Sequence, residues 1–375
     1  EHFLVPVGRD ETINDKIYFE PPESRHNARR FTDMGPPKTL ISTDLRVDAI
    51  ATSGSLVAAG ASQLTGRLWT GAVLVASCDG TVVSATTNAG VSALATLADG
   101  VFVSGDDAGT VVVWNTGSAT DGSKISLRAV CAKARAHEFC VTAIACFAGN
   151  EGFVTVGADA RLNAWDTQRA TSGGFTGDRP VVTVAGAARG AVHAVATHQT
   201  DKNLIATAGD DGAVRVWDLR HPQSPVASRE GNEVRTGVGR AYALAWAGVE
   251  LGEALAVGYE SGAVCVLETR ARLGDAAGGT TIASSSLETR GVVEAHGDAV
   301  RGLAWETCGV KPGNPRLASC GDDGQVATHE GELPVTKKNR PHGESYARCV
   351  SFWEDPGDGV VRLVSGGWDG RVVAA

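Results

Sequence analysis

The stretch Ile205-Ala-Thr-Ala-Gly-Asp-Asp-Gly-Ala-Val-Arg-Val-Trp217 decides how this chain folds. In it, an apolar run leads through small residues to an acidic turn, and alternating apolar residues then end on Trp. Alternating apolar residues around Asp-Gly predict a β-hairpin, because the tight turn between the strands needs residues with positive φ. We therefore interpret residues 205–217 as two antiparallel strands joined by a tight turn.

The same pattern occurs five more times. The further copies are Val101-Phe-Val-Ser-Gly-Asp-Asp-Ala-Gly-Thr-Val-Val-Val-Trp114, Phe153-Val-Thr-Val-Gly-Ala-Asp-Ala-Arg-Leu-Asn-Ala-Trp165, Ala256-Val-Gly-Tyr-Glu-Ser-Gly-Ala-Val-Cys-Val-Leu267, Leu317-Ala-Ser-Cys-Gly-Asp-Asp-Gly-Gln-Val-Ala-Thr-His329 and Leu363-Val-Ser-Gly-Gly-Trp-Asp-Gly-Arg-Val-Val373. The predicted turn acids are Asp107, Asp159, Asp211, Glu260, Asp323 and Asp369, at intervals of 52, 52, 49, 63 and 46 residues. WD40 blades have four strands and repeat every ~40–45 residues, so these intervals predict blades with inserted loops.

A seventh, degenerate copy comes before the other six. It reads Ser55-Leu-Val-Ala-Ala-Gly-Ala-Ser62, then a polar loop, then Gly71-Ala-Val-Leu-Val75. The expected fold is therefore all-β, a seven-bladed WD40 β-propeller. The sequence stops soon after the third strand of the last blade, so residues near 39–46 are expected to supply the fourth. That closure removes an exposed sheet edge, and it assigns residues 1–38 to an N-terminal extension and residues 39–375 to the propeller.

Charge and composition narrow the possible partners and location. The chain has 34 Lys and Arg against 43 Asp and Glu, for a net charge of -9. This balance argues against nucleic acid as a partner, and it suits either basic protein partners or simple solubility. We expect no membrane span and no signal peptide in the given residues, because no apolar run or leader pattern of the required kind occurs. Eight cysteines without a CxxC pair indicate a reducing compartment, the cytoplasm or the nucleus.

Residues with catalytic potential are interpreted as structural. His137 and His296 precede turn acids at the spacing of the WD40 Gly-His position, so each is expected to bind the turn Asp of its own blade. Trp114, Trp165 and Trp217 are expected to pack within their blades. The acidic pairs 106–107, 210–211 and 322–323 are assigned to turns rather than to catalytic dyads.

No nucleotide-binding, serine-hydrolase or zinc-protease motif occurs, so no cofactor or metal is expected. An enzyme with its site at the central channel would need acids, His or metal ligands recurring at the blade starts, and none recur there in this sequence. We therefore expect that the chain is not an enzyme.

The first blade departs from the pattern. Where a tight acidic turn is expected, it has Gln63-Leu-Thr-Gly-Arg-Leu-Trp-Thr-Gly71. A Trp and an Arg on a loop held by a rigid scaffold are typical of an interface anchor, since both residue types are enriched in binding hot spots. The alternative is that Trp69 packs back as the strand Trp of the first blade. Pattern alone leaves both interpretations open.

Leu56-Val-Ala-Ala-Gly-Ala-Ser-Gln-Leu-Thr-Gly-Arg-Leu-Trp-Thr-Gly-Ala-Val-Leu74 closely resembles the first blade of the methylosome protein 50 family, the WD-repeat partners of the type II protein arginine methyltransferase. Similar stretches follow in the same order: Ala89-Gly-Val-Ser-Ala-Leu-Ala-Thr-Leu97, Val214-Arg-Val-Trp-Asp-Leu-Arg-His-Pro222, Tyr242-Ala-Leu-Ala-Trp246 and the terminal Val364-Ser-Gly-Gly-Trp-Asp-Gly-Arg-Val-Val373. The resemblance covers roughly residues 46–373. Residues 1–38 and the inserts 271–289 and 328–342 have no matched counterpart.

The resemblance implies a non-catalytic scaffold. In that family the first-blade Arg and Trp insert into the TIM-barrel domain of the methyltransferase, and four copies of each chain form a hetero-octamer. Transferred to this sequence, the partner-binding residues are Arg67 and Trp69, with Gly66 and Gly71 shaping the loop. The family is thought to help present Arg-rich substrates such as histones and Sm proteins for symmetric dimethylation, and an acidic surface is suited to that role.

A second hypothesis comes from Trp217-Asp218-Leu219-Arg220. This WDxR string resembles the adaptor-docking box of substrate receptors for cullin-type ubiquitin ligases, and it nominates Trp217, Asp218 and Arg220 as adaptor-binding residues. The structural alternative is that Arg220 pairs locally, as ordinary blade chemistry.

Overall fold

The computed structural model describes residues 37–65, 68–117, 125–167, 179–234, 237–247, 254–269, 285–306, 316–330 and 335–375. These residues form seven sheets, one for each blade, and each sheet has an inner, two middle and an outer strand in antiparallel order. The first three blades contain β2 to β13 in order: Arg46–Ser53, Leu56–Thr65, Leu68–Ser77 and Val82–Thr87; Val91–Ala98, Val101–Asp106, Val111–Gly117 and Ser126–Lys133; Val141–Cys146, Gly152–Gly157, Arg161–Asp166 and Val182–Ala185. Their order confirms one blade for each sequence repeat.

Blades 4 to 7 follow the same order. Blade 4 contains β14 to β17, Val192–Thr197, Leu204–Gly209, Val214–Asp218 and Ala227–Arg229; blade 5 contains β18 to β20 and β22, Ala241–Trp246, Ala254–Tyr259, Ala263–Glu268 and Glu288–Glu294; blade 6 contains β23 to β26, Val300–Trp305, Arg316–Gly321, Val326–Glu330 and Val335–Asn339. Blade 7 contains β27 to β29, Ala347–Asp355, Val360–Gly367 and Arg371–Ala374, with β1, Lys38–Ser42. The two-residue strand β21, Ser285–Ser286, and two short helical segments, Ala148–Asn150 (3-10) and Gly231–Val234 (α1), complete the described elements.

The ring closes as the repeat arithmetic predicted. Strand β1 pairs antiparallel with β29, with Lys38 opposite Ala374 and Ser42 opposite Arg371. The expected range 39–46 was too long at its end, because Arg46 already begins the inner strand of blade 1. Ile41 is 1% exposed and lies in the cluster between blades 7 and 1. The first residues of the propeller and its last blade thus share one core.

The hydrophobic core is divided among the blade interfaces. In the described part of the chain, seven buried clusters occur, and each contains side chains from two neighbouring blades. Between blades 2 and 3, for example, Phe153 stacks on Trp165 with ring centroids 6.2 Å apart, next to Val103 and Val113. Trp114, Trp165 and Trp217 are all buried, so the prediction that they pack in the blades is confirmed. Such a core requires the complete ring, because each blade buries its apolar faces only against its neighbours.

Two stretches interpreted as inserts turn out to contain regular blade strands. Residues 328–342 include the end of β25 and all of β26, the outer strand of blade 6. From the range 271–289, Ser285–Ser286 forms β21, which adds a fifth, parallel strand to blade 4, and Leu287 is fully buried. Residues 270–284 and 1–36 lie outside the described residues. Weak repeat similarity had hidden these strands, because outer strands are half solvent-exposed and show little apolar pattern.

Candidate functional site

The first-blade segment is a hairpin, not a loop. Strands β3 and β4 continue far beyond the other blades' turns, and the register pairs Gln63 with Thr70 and Leu64 with Trp69. Leu64 is 48% and Trp69 43% exposed, so two large apolar side chains face each other across the hairpin near its tip and meet solvent. The interpretation of Trp69 as the strand Trp of blade 1 is wrong. Trp69 lies at the beginning of β4, whereas the strand Trp of another blade, such as Trp217, lies at the end of its strand.

The four residues nominated as the partner-binding anchor have different positions. Trp69 is at the hairpin tip, while Gly66 and Arg67 lie outside the described residues. Gly71 has a packing role: a Cβ there would lie 2.5 Å from the Ala89 carbonyl oxygen and 2.7 Å from that of Ala61. A glycine is therefore required for β4 to pass close to the entry of blade 2.

A ring of polar side chains lines the mouth of the central channel, at the end where the inner strands begin. Each of the seven inner strands has a register irregularity within its first four residues, as expected of a β-bulge. Bulges re-aim a side chain, and the residue skipped in each strand lines the channel. These residues are Asp48, Ser92, Thr142, His193, Tyr242, Arg301 and Arg348.

Sequence reasoning missed this ring. Asp48 is its one acid and His193 its one histidine, so neither residue type recurs among these seven positions. A usable signal was present: at or next to the start of every inner strand there is a small aliphatic residue, a polar residue, a small residue and a larger aliphatic residue, as in Val47-Asp-Ala-Ile50 and Val192-His-Ala-Val195. The bulge places only the second of these four residues in the channel.

The channel is polar at the mouth and apolar below it. A cavity of about 300 Å³ at the mouth is lined by the ring together with Arg46, Ser62, Trp69, Asp107, Cys140 and Trp368. A second cavity of about 230 Å³ shares the ring and continues to an apolar collar formed by Ile50, Leu94, Ile144, Val195, Leu244, Leu303 and Val350. A partner residue entering the mouth would therefore meet charged and aromatic groups first.

Most charges at the mouth are already paired. Arg301 and Arg348 both bind Asp322, with Nη–Oδ distances of 2.6 and 3.0 Å. Arg301 also lies 4.0 Å from the centroid of the Tyr242 ring. On the far side, His193 Nε2 lies 2.8 Å from Asp210 Oδ1. These contacts fix the side chains and leave their charges largely compensated.

Trp368 connects the mouth to blade 1. Its Nε1 donates to Asp48 Oδ1 at 2.8 Å, and Asp48 Oδ2 accepts a hydrogen bond from Ser62. The guanidinium carbons of Arg46 and Arg348 lie 4.7 and 5.1 Å from the centroid of the Trp368 ring, within cation–π range. The terminal Gly-Trp-Asp string thus supplies one wall of the mouth.

Two of the six predicted turn acids were placed one position off. By register, Phe102 lies opposite Trp114, Ile205 opposite Trp217 and Leu317 opposite His329. Asp107, Asp210 and Asp322 each come five residues after the first member of these pairs, so they share one position at the channel rim. In blade 2 the turn is instead capped by Asp106, whose Oδ1 accepts the N–H of Thr110 at 2.7 Å. In blade 5, Leu255 lies opposite Leu267, so Glu260, five residues later, has the rim position and Ser261 lies at the turn.

The exposed aromatic side chains of the described residues are all at the mouth end of the propeller. They are Trp69, Phe139, which precedes β10, and Tyr346, which precedes β27. The exposed valines lie instead on or next to outer strands: Val82, Val130, Val181 and Val292. Aromatic residues are enriched at protein interfaces, so the mouth end is the face best suited to bind a partner.

The two histidines interpreted as structural do bind their turn acids, which confirms that prediction. His137 Nδ1 donates to Asp159 Oδ1 at 2.9 Å, and Thr155 links His137 Nε2 to Trp165 Nε1 through distances of 2.8 and 3.0 Å. His296 binds Asp323 at 3.0 Å, with Ser319 as the link. Blade 7 has the same arrangement in His342 and Asp369, at 2.8 Å. His342 was missed, although it precedes its acid by the same 27 residues as His296 does.

The carboxyl group of Asp323 should make folding sensitive to acid. Burial alone would raise its pKa, but hydrogen bonds from His296 and from two backbone N–H groups outweigh that effect and hold the pKa at about 2. The ordinary value is 3.8, so this stabilisation is present above about pH 4 and is lost as the pH falls toward 2. Asp323→Asn should lower the free energy of unfolding by about 1–3 kcal/mol at pH 7. It should also make that free energy depend less on pH between pH 4 and 2 than in the wild type, as measured by urea titration. Asp298→Asn, an exposed residue in the neighbouring loop that contains His296, is the control, and equal losses in both variants would contradict the prediction.

A profile of the WD domain, G-beta repeat matches residues 178–218. The match includes the outer strand of blade 3 and the inner and middle strands of blade 4. The chain is a seven-bladed β-propeller with a WD40 repeat. No curated protein matches this sequence.

The matched range ends at Asp218, inside the WDxR string. Trp217 is buried and its Nε1 donates to Thr207 at 2.9 Å, so this residue is structural. Asp218 holds the Arg220 guanidinium in a bidentate contact at 2.8 Å to each carboxylate oxygen, and Asp201 lies 3.5 Å from it. The local pairing predicted as the alternative is thus present, yet the Arg220 side chain remains 51% exposed on the face opposite the mouth.

None of the helices in the described part of the chain is long and apolar enough to cross a membrane. Within the same ranges, no group of three or more His, Cys, Asp or Glu side chains is arranged to hold a metal ion. The seven described cysteines are all free thiols, while Cys308 lies outside the described residues.

Proposed function

We propose that the chain is a scaffold subunit of a protein arginine methyltransferase complex, and that it binds the enzyme through the β3–β4 hairpin. WD40 propellers are generally non-catalytic platforms for protein interactions. The observation that carries the proposal is the hairpin tip, where Leu64 and Trp69 are held in cross-strand register and exposed. A rigid, solvent-exposed aromatic group pays little conformational entropy on binding, which makes it suited to anchor a partner.

The mouth face supports this role beyond the tip itself. Phe139 and Tyr346 are exposed around the same opening, so a partner seated on the hairpin can bury further aromatic area. The Gly-Arg-x-Trp string of the hairpin resembles the family whose members bind the TIM-barrel domain of the type II enzyme. In this proposal the scaffold acts in the cytoplasm and nucleus, and it helps present Arg-rich substrates such as histones and Sm proteins.

Co-expression tests the proposal directly. The full chain is produced together with a type II protein arginine methyltransferase, and the mixture is separated by size-exclusion chromatography with light scattering. We expect co-elution at a mass equal to four copies of each chain. Elution of the two proteins in separate peaks, at concentrations where the propeller is folded, would rule out the proposed complex.

A second candidate function is adaptor binding in a cullin-type ubiquitin ligase. It is favoured by Arg220, whose guanidinium is fixed by Asp218 and still exposed. If this function holds, Arg220→Ala should abolish co-purification of the adaptor while the propeller stays folded. Arg290→Ala is a matched control, since Arg290 is similarly exposed and paired with Glu268 on another blade. Absence of adaptor from the wild-type purification would remove this candidate.

A further inference from the structure

The rim position shared by Asp107, Asp210 and Asp322 has one member without a counter-ion. Asp210 lies 2.8 Å from His193 and 3.3 Å from Arg240, and Asp322 binds Arg301 and Arg348. Among the described residues, Asp107 has no cationic partner, and its side-chain contact is the thiol of Cys140, 3.2 Å away. Blade 2 therefore presents an uncompensated carboxylate at a position where two other blades supply positive groups of their own.

The surroundings of Asp107 add further negative charge and bring this carboxylate close to Asp48. Asp107 is half-buried, and burial, followed by the charges of Asp48 and Asp106, raises the pKa of its carboxyl group. A Cβ added at Gly90 would lie 2.5 Å from Asp107 Oδ2 and 2.8 Å from the Ser62 Cβ, and Ser62 in turn donates to Asp48. Asp48 and Asp107 thus occupy one corner of the mouth, on the side of blades 1 and 2.

The same corner includes an aromatic wall. Trp69 lines the mouth cavity together with both acids, and its side chain is 43% exposed. Three arginines line the cavity, and none of them is bound to Asp107: Arg46 lies over the Trp368 ring, and Arg301 is bound to Asp322. Arg348 Nε is 3.8 Å from Asp48 while its Nη1 also binds Asp322. Negative charge, an exposed indole and a cavity of about 300 Å³ therefore coincide.

We propose that this corner, formed by Asp48, Asp107 and Trp69, binds the guanidinium group of an arginine side chain from a partner protein. A guanidinium matches a carboxylate with two parallel N–H groups and stacks on an aromatic face, so one group satisfies both walls. Its aliphatic stem packs along the indole while the charge reaches the acids. The inference rests on the proposed partner-binding role of the mouth face, and it specifies the chemistry that this face recognises.

The test uses a small probe, so that it does not depend on the methyltransferase. The full chain is labelled with 5-fluorotryptophan, and the blocked peptide Gly-Gly-Arg-Gly-Gly is titrated in ¹⁹F NMR, with Trp69 and Trp368 as reporters in the cavity. The control peptide has citrulline in place of arginine, which keeps the shape and removes the charge. We expect shifts of both reporters with the arginine peptide and none with the citrulline peptide. Equal shifts with the two peptides would overturn the proposal.

Two variants locate the site. Asp107→Asn should lower the affinity for the arginine peptide by at least about tenfold. Asp298→Asn, which is exposed on the same face outside the cavity, should leave that affinity unchanged. Because Asp107→Asn removes a half-buried charge, its melting temperature at pH 7 should equal or exceed the wild-type value. Trp69→Leu, read out at Trp368, should weaken binding severalfold. Unchanged affinity in Asp107→Asn, or equal loss in Asp298→Asn, would overturn the assignment.

The outcomes separate this inference from the proposed function. If the arginine peptide binds as expected but the methyltransferase does not co-elute, the arginine site stands and the scaffold proposal fails. If the methyltransferase co-elutes but the peptide shows no charge-dependent binding, the scaffold proposal stands and the arginine site is excluded.

Discussion

Trp69→Ala is expected to weaken methyltransferase binding by at least about 30-fold, equivalent to ~2 kcal/mol, while the melting temperature stays unchanged. The side chain is 43% exposed in the free propeller, so truncation removes few contacts within the fold. On a docked partner the same indole would lose its water and fill a pocket, and large aromatic groups in such positions dominate binding energies. The measurement is surface plasmon resonance with immobilised enzyme, combined with differential scanning calorimetry of the free variant.

Two control variants show whether the effect belongs to the hairpin tip. Leu64→Ala removes the cross-strand neighbour of Trp69 and should cause a smaller loss in the same direction. Val181→Ala changes a residue that is at least as exposed but lies next to an outer strand, and it should bind like the wild type. Wild-type affinity in Trp69→Ala would show that the hairpin is not the anchor.

Ile41→Ala is expected to lower the free energy of unfolding by about 2–5 kcal/mol, the usual cost of truncating a fully buried aliphatic side chain. Ile41 is 1% exposed on β1, and it packs with Val364, Val372 and Trp353 across the closure of the ring. A weakened β1 also leaves β29 as an open edge strand, which promotes aggregation. The loss is measured by urea titration followed by tryptophan fluorescence, with light scattering to detect association.

Thr39→Ala provides the matched comparison on the same strand, because Thr39 is exposed. We expect a change of less than about 0.5 kcal/mol for it. Similar stability of the wild type and Ile41→Ala would contradict the view that β1 closes the ring energetically as well as topologically.

The outcome for individual residues shows what a repeat pattern can and cannot predict. Asp159 and Asp323 were correctly placed because each follows a histidine of the WD40 Gly-His position, 22 and 27 residues earlier, and binds that histidine. Asp107 was misplaced because the Gly-Asp-Asp string looks the same in three blades, while the register of β7 and β8 shifts it by one position. Letters alone do not report a one-residue shift in strand pairing, although it changes which way every side chain points.

The hairpin and the ring illustrate the same limit in different ways. A missing turn acid indicated that residues 63–71 were unusual, but only cross-strand pairing shows that Leu64 and Trp69 lie opposite each other. The polar ring depends on seven bulges that bring residues up to 300 positions apart to one opening. Each member is unremarkable within its own strand, so the site becomes visible only when the blades are assembled.

The sequence by itself determined the number of blades, the positions of most turns and the closure by an N-terminal strand, because these follow from local turn chemistry and from counting repeats. The tertiary structure alone decided which acids are compensated, which aromatic groups remain exposed and which face carries them. Those properties depend on side chains from different blades, whose mutual distances are set by packing around the ring and not by their spacing along the chain.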